Sequence, residues 1–93
     1  MGKYIVRVEK EAVKDLRKIY KSGNKADISK VEKILQELEE TPEIGTGNPE
    51  KLKHQLSGFW SRRINKKDRL VYEINDVEVI VIVVSALGHY SDK

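Results

Sequence analysis

The residues with the clearest chemical potential lie in the second half of the chain. An isolated acid, Glu50, directly precedes residues 51–69, which carry seven Lys or Arg against one Asp, a local net charge of +6. His89 and Tyr90 form a pair near the end of the sequence. A carboxylate can serve as a general base, an imidazole as a general acid, and cations stabilise a reacting phosphoryl group. These residue types predict binding of nucleic acid or another phosphate compound, and they leave nuclease activity open.

Each of these features also has a simpler interpretation. The basic side chains can be solubilising charges on an exposed hairpin. Phe59 and Trp60 can stack on bases, but a small domain also needs such aromatics as core anchors. His54 is a lone histidine, which is more often structural than catalytic. Glu50 can neutralise a neighbouring lysine, and the His89-Tyr90 pair can be a frayed tail.

The arginines depend on strand register for a common site. Arg62 and Arg63 are adjacent on a predicted strand and point to opposite faces, so only one of them can join a shared site. A three-residue turn at 66–68 would place Arg63 and Arg69 on the same face, whereas a two- or four-residue turn would separate them. The sequence leaves this register open.

Composition limits the remaining chemistry. The chain has no Cys, two isolated His and scattered acids, so no metal-ligand spacing is visible. We therefore predict no metal or other cofactor, and any cleavage should be metal-independent. With 39% hydrophobic and 35% charged residues, 93 residues fit one soluble domain spanning 1–93. The longest apolar run, Val79–Val84, is far shorter than the roughly 20 residues of a membrane helix. No signal peptide is visible, and we expect a cytoplasmic protein with no membrane partner.

Hydrophobic spacing indicates the elements that must position these side chains. Alternation predicts a strand at 3–8, and three- and four-residue spacing predicts two helices, from Glu9 to Ser22-Gly23 and from Asn24 to Thr41-Pro42. Alternation returns in three strands at 59–65, 69–75 and about 77–85. The fold class is therefore α+β: two layers, with an N-terminal strand, an antiparallel helix hairpin and a twisted antiparallel β-meander.

Details of the pattern sharpen this prediction. Asn24 is expected to cap the second helix, with Asp27 in its first turn. The Gly45-x-Gly47 segment is weak as a phosphate-binding motif, because no Lys-Ser/Thr and no helix follow it, so we interpret it as a loop. Val79–Val84 is apolar on both faces and is expected to be a central strand.

A long motif resembles a known family. Residues 49–72, PEKLKHQLSGFWSRRINKKDRLVY, followed by the HY pair at 89–90, are similar to the YoeB (Txe/YoeB) branch of the RelE/ParE toxins of bacterial toxin–antitoxin systems. The helical first half matches only in layout, including the Thr-Pro stop and the Gly-x-Gly link. The resemblance implies two helices on a twisted antiparallel sheet, and an endoribonuclease that cleaves mRNA in the ribosomal A site.

The resemblance also implies roles for individual residues. Glu50 corresponds to the family's general base, Arg69 to its phosphate-binding arginine, His89 to its general acid and Tyr90 to its terminal tyrosine. The side chains expected to contact RNA are Lys51, Lys53, His54, Arg62 and Arg63.

Partners follow from the same resemblance. They are mRNA on the 70S ribosome, a YefM/Phd-like antitoxin whose acidic segment folds over the basic site, and operator DNA only through the antitoxin complex. A homodimer is left open. The alternative function is a non-catalytic ParE-like inhibitor that binds a topoisomerase, since fold alone does not separate the two. A weaker alternative is a DNA-binding module.

Overall fold

The computed structural model describes residues 3–53 and 57–86, which form two helices and five strands. In chain order the elements are β1 (Ile5–Val8), α1 (Lys10–Ser22), α2 (Lys25–Leu38), β2 (Glu50–Lys51), β3 (Phe59–Arg63), β4 (Arg69–Asn75) and β5 (Ile80–Ser85). The predicted α+β order of strand, helix pair and meander is confirmed.

The helix boundaries follow the predicted signals, except at the end of α2. Gly23 ends α1 in a left-handed conformation with φ 73°, which a residue without Cβ adopts at little cost. The Asn24 side chain accepts a hydrogen bond from the Asp27 amide at 3.1 Å and caps α2. α2 ends at Leu38, three residues before Thr41, because its last turn tightens and the Glu39 amide bonds to the Gln36 carbonyl.

The five strands form one sheet in the order β1-β5-β4-β3-β2. β2, β3, β4 and β5 pair antiparallel in sequence order, whereas β1 pairs parallel with β5. β5 therefore lies between two partners, as the apolar run Val79–Val84 predicts. It begins three residues later than expected, because the turn from Asp76 to Val79 is longer than an Asn75-Asp76 hairpin turn and is closed by the Glu78 amide on the Asn75 side chain.

One face of the sheet is covered by the helices. Side chains alternate along each strand, so the observed registers place Leu70, Tyr72, Val81 and Val83 on a common face. All four are fully buried, and they share a core with Val31, Ile34 and Leu38 of α2. The opposite face, which we call the open face, carries no described helix.

The pairing of β4 with β5 contains a β-bulge. Val71 pairs with Ser85 while Tyr72 pairs with Val83, so Val84 is an extra residue in β5. Because of this bulge, Ser85 lies on the same face of the sheet as Val71, and the next residue, Ala86, is fully buried in the core. The Asp15 carboxylate of α1 accepts the Ala86 amide at 3.0 Å and fixes the end of β5. Among the described residues, no helix is long and apolar enough to cross a membrane.

Candidate active site

Strand register brings three candidate residues to the open face. Glu50 is the Cα partner of Ser61, and Arg63 is the Cα partner of Arg69. Ser61 and Arg63 are two positions apart on β3 and point to the same side. Glu50, Arg63 and Arg69 therefore share one face. The turn is longer than any of the three alternatives weighed above, and it makes the two arginines direct cross-strand neighbours.

An acid–arginine pair crosses β3 diagonally on this face. The Arg69 Nη1 lies 3.6 Å from the Glu50 Oε1. The Cα atoms of these residues are two strands and two residues apart, about 10 Å across and about 7 Å along the sheet, so only long side chains can meet there. Glu50 is 60% exposed and Arg69 is 29% exposed. The pair is thus open to a ligand and is a weak contact for stability.

The turn after β3 adds positive charge beside the arginines. Asn65 organises it: its side-chain oxygen accepts the Lys67 and Asp68 amides, and its amide nitrogen donates to Asp27 at the start of α2. Lys66 and Lys67 are exposed at its tip. This anchored turn keeps two lysines at the end of the hairpin that carries Arg63 and Arg69.

The two predicted lysines that follow Glu50 in the chain take different positions. Lys51 is exposed on β2, but it follows Glu50 directly and so points to the other face, with its Nζ 6.0 Å from the centre of the Trp60 ring. Lys53 is exposed two residues after β2. The predictions for His54, His89 and Tyr90 fall outside the described residues.

The prediction that Arg62 contacts RNA is wrong as a statement about direct contact, because its side chain is fully buried on the helix-covered face. Its guanidinium donates five hydrogen bonds, matching its five N–H groups. The acceptors are the Tyr72 hydroxyl (3.1 Å), the Glu37 carboxylate (2.7 Å) and the carbonyls of Thr46 (3.3 Å), Thr41 (2.7 Å) and Ile44 (2.9 Å). Arg62 therefore ties β3 to the segment after α2.

Glu37 is a structural acid that the sequence pattern did not reveal. In α2 it lies off the apolar stripe formed by Val31, Ile34 and Leu38, at a position that helical spacing assigns to solvent. Instead it binds Arg62, and it also accepts hydrogen bonds from the Thr46 amide (2.7 Å) and hydroxyl (2.8 Å). Burial raises the pKa of Glu37, but the hydrogen bonds from Thr46 and Arg62 outweigh burial and lower that pKa below its ordinary value. Its carboxylate is therefore stabilised in the ionised form.

The Gly-x-Gly segment has a packing role. Gly45 and Gly47 have positive φ values of 127° and 86°. A Cβ on Gly45 would overlap the Glu37 carboxylate, and one on Gly47 would lie 2.8 Å from the Arg63 carbonyl oxygen. The Gly47 carbonyl accepts the Arg63 amide at 2.7 Å. Both glycines let the loop approach its neighbours closely, in agreement with the interpretation of this segment as a loop. We call Arg62, Glu37, Thr46 and Tyr72, with the loop 41–47 that they hold, the Arg62 cluster.

Metal ligation has no candidate in the described part of the chain. Within residues 3–53 and 57–86, no group of three His, Asp or Glu side chains is close enough together to hold an ion. Around Glu50, the open face instead combines this carboxylate with the guanidinium groups of Arg63 and Arg69. It can bind an anion and accept a proton.

The fold is similar to that of solved bacterial toxins. The fold matches the YoeB dimer from Staphylococcus aureus with a TM-score of 0.78 and 31% identity, covering 96% of this chain and 100% of the other. It matches the toxin in a heterotetrameric YoeB–YefM toxin–antitoxin complex from S. aureus with a TM-score of 0.75 and 32% identity, covering 94% and 98%. The architecture is that of a YoeB/RelE-type toxin.

The sequence comparison assigns the family. Residues 8–90 match the family described as "YoeB-like toxin of bacterial type II toxin-antitoxin system". Toxin YoeB from Escherichia coli O6:H1 is 42% identical over 62 residues, which are 67% of this chain and 74% of that protein. The chain belongs to the YoeB family of type II toxins, as its 49–72 motif indicates.

Proposed function

We propose that this toxin is an endoribonuclease that cleaves mRNA in the A site of the ribosome by general acid–base catalysis. The observation that carries the proposal is the contact between Glu50 and Arg69, 3.6 Å apart on an open, cationic sheet face. A proton acceptor beside a phosphate-binding group is the minimum that attack of a ribose 2′-hydroxyl on the adjacent phosphorus needs. Membership of the YoeB family supports the ribosome as the place of cleavage.

Substrate binding rearranges the acid–arginine pair. A phosphodiester offers Arg69 two oxygens in the geometry that a guanidinium binds best, so it competes with the 3.6 Å contact to Glu50. Arg69 then turns to the phosphate, and the Glu50 carboxylate becomes free to accept the 2′-hydroxyl proton. The ion pair thus places both groups within reach of one nucleotide before RNA arrives.

The reaction forms one bond and breaks one. The 2′-oxygen attacks phosphorus while Glu50 takes its proton, and Arg69, Arg63 and Lys53 balance charge on the non-bridging oxygens. The bond from phosphorus to the 5′-oxygen breaks, and protonated His89 donates a proton to that oxygen. The products are a 2′,3′-cyclic phosphate, which can open to the 3′-phosphate, and a 5′-hydroxyl. We propose His54 and Tyr90 for the same site, as the resemblance to the family implies.

Removing the nucleophile tests this chemistry. An mRNA with one 2′-deoxy sugar on the 5′ side of the cleaved bond should resist cleavage on the ribosome, because no oxygen can attack phosphorus. The unmodified mRNA should give a fragment with a 5′-hydroxyl, which polynucleotide kinase labels without prior phosphatase treatment. Equal cleavage of both substrates, or a 5′-phosphate on the fragment, would refute 2′-hydroxyl attack.

We also propose a YefM/Phd-like antitoxin as partner, with operator DNA bound only through the complex. Support comes from the S. aureus relative, whose structure is a YoeB–YefM heterotetramer, and from the cationic open face, which suits an acidic segment. Co-expression with the neighbouring gene should yield a complex that survives purification and suppresses toxicity. A neighbouring product that neither binds nor neutralises would contradict the proposal. Homodimerisation is proposed on the S. aureus dimer.

A further inference from the structure

We propose that the Arg62 cluster is a positioning device for Glu50, which deepens the proposed function and rests on it. Its members lie on the helix-covered side of the sheet, away from the open face, and Arg62 has no exposed surface. The fully buried Arg62 and Tyr72 side chains therefore do not touch RNA. They act by holding the loop that delivers Glu50 to the edge of the sheet.

The loop is held through its backbone. Five of the seven carbonyl groups in residues 41–47 accept hydrogen bonds from β3 or β4. Arg62 binds those of Thr41, Ile44 and Thr46, the Tyr72 hydroxyl donates to Pro42 at 2.6 Å, and the Arg63 amide donates to Gly47. A loop without regular structure is thus fixed along most of its length, including the side facing the protein interior.

The segment that joins this loop to Glu50 is short and has little conformational freedom. Only Asn48 and Pro49 separate Gly47 from Glu50. Asn48 occupies the left-handed region with φ 54°, and the Pro49 ring restricts its own φ. The place where Gly47 is held therefore determines where Glu50 begins. A displacement of Gly47 therefore also displaces Glu50 in β2.

β2 cannot fix this position by itself. It has two residues, which pair only with Ser61 and Trp60, and it is the edge strand of the sheet. Isolated short pairings of this kind are marginal in water. The buried anchor on the previous loop supplies the missing constraint. Arg62 is well placed for this, because it directly follows Ser61, the partner of Glu50.

Positioning and binding roles predict different kinetics. If the cluster only positions Glu50, loosening it should displace the general base while the cations of the open face still bind mRNA. A displacement of the order of 1 Å costs about 100-fold in rate. The expected signature is a loss of about 10- to 100-fold in kcat with KM unchanged.

Two variants loosen the cluster without removing Arg62. Glu37→Gln keeps the side-chain shape but weakens the bonds to Arg62 and Thr46. Gly47→Ala introduces a Cβ that meets the Arg63 backbone. Their matched controls are Glu32→Gln, on the exposed face of the same helix, and Gly23→Ala, where φ is also positive but no atom lies within 4 Å of the added Cβ. Each variant is assayed on programmed ribosomes below its own unfolding temperature.

Amide hydrogen exchange gives a second readout that does not depend on activity. Loosening should speed exchange at Arg63, which bonds to Gly47, and at Leu52, which bonds to Phe59 just after β2. The Glu9 amide, which is bonded to Val83 in β5, should keep its exchange rate. Neither control variant should change the Arg63 and Leu52 rates.

The outcomes separate the two proposals. Lower kcat with unchanged KM and faster exchange at Arg63 and Leu52, in either cluster variant but neither control, supports positioning. Wild-type kcat in both cluster variants, a change confined to KM, or unchanged exchange at Leu52 in both of them overturns it. If wild-type protein leaves ribosomal mRNA intact, the ribonuclease proposal fails, and the positioning of Glu50 for that reaction falls with it. The exchange result would then describe the loop alone.

Discussion

Replacing Arg69 with Ala is expected to lower the rate of ribosomal mRNA cleavage about 100- to 1,000-fold, the loss typical when one charge-stabilising donor is removed. The reason is geometric: Arg69 lies 3.6 Å from Glu50, the proposed base, so both groups can reach the same nucleotide in the proposed reaction. Single-turnover cleavage of an mRNA bound in the A site measures the loss. A cleavage rate equal to the wild-type rate would remove Arg69 from the mechanism.

Two further substitutions serve as controls for this result. Arg69→Lys keeps the charge but lacks the planar fork, so it should recover only part of the rate. Glu50→Gln keeps the size of the side chain but cannot accept the proton, and general base catalysis typically contributes about 100- to 10,000-fold. Both residues are partly exposed, so their changes should alter the free energy of unfolding by less than about 1 kcal/mol.

Replacing Arg62 with Met is expected to lower the free energy of unfolding by about 3–5 kcal/mol, the cost of removing one member of a buried ion pair. The change leaves the Glu37 carboxylate without its cation and removes the donor to three loop carbonyls. For a domain whose total stability is of the order of 5–15 kcal/mol, this is a large fraction. Urea unfolding measures it.

The neighbouring arginine provides a matched control. Arg63→Met changes the same side chain on an exposed position of the same strand and should alter the free energy of unfolding by only about 0.5 kcal/mol. Similar losses in the Arg62 and Arg63 variants would contradict the structural role of Arg62.

The pH dependence of stability gives a second control on the Arg62 cluster. The pKa of Glu37 is lower in the folded protein than its ordinary value of 4.5, so ionised Glu37 stabilises the fold above that pH. This contribution is lost as the pH falls through the lowered pKa. The difference in unfolding free energy between wild type and Glu37→Gln should therefore be greatest at neutral pH and shrink below about pH 4.5. A difference that stays constant into acid would contradict this role.

Local patterns were sufficient for the order of elements. Helical spacing, the Asn24 cap and the Gly23 stop each report on a few neighbouring residues, and all three predictions are confirmed. The parallel pairing of β1 with β5 was not predicted, because nothing in either strand encodes a partner more than 70 residues away.

The candidate site could be predicted only in part from the sequence, for the same reason. The Glu50 and Arg69 types and the motif around them indicated chemistry, but their contact depends on the register of three strands. Arg62 and Arg63 are identical residues side by side, and only the position of the helices decides which one is buried. Glu37 looked like a surface acid because its partner lies 25 residues away in the sequence. In the sequence, Gly45 and Gly47 indicated a loop. The structure shows that this loop packs closely against Glu37 and Arg63.

The central claim, that this toxin cleaves mRNA during translation, is tested most directly by mapping mRNA 5′ ends in cells after induction of the wild-type protein or Arg69→Ala. We predict new 5′-hydroxyl ends at fixed positions within translated codons for the wild type. Those ends should be almost absent for Arg69→Ala at equal protein level. Growth arrest by the wild type without new 5′ ends would contradict the account and favour a non-catalytic ParE-like inhibitor, and equal cleavage by both proteins would contradict the assigned site.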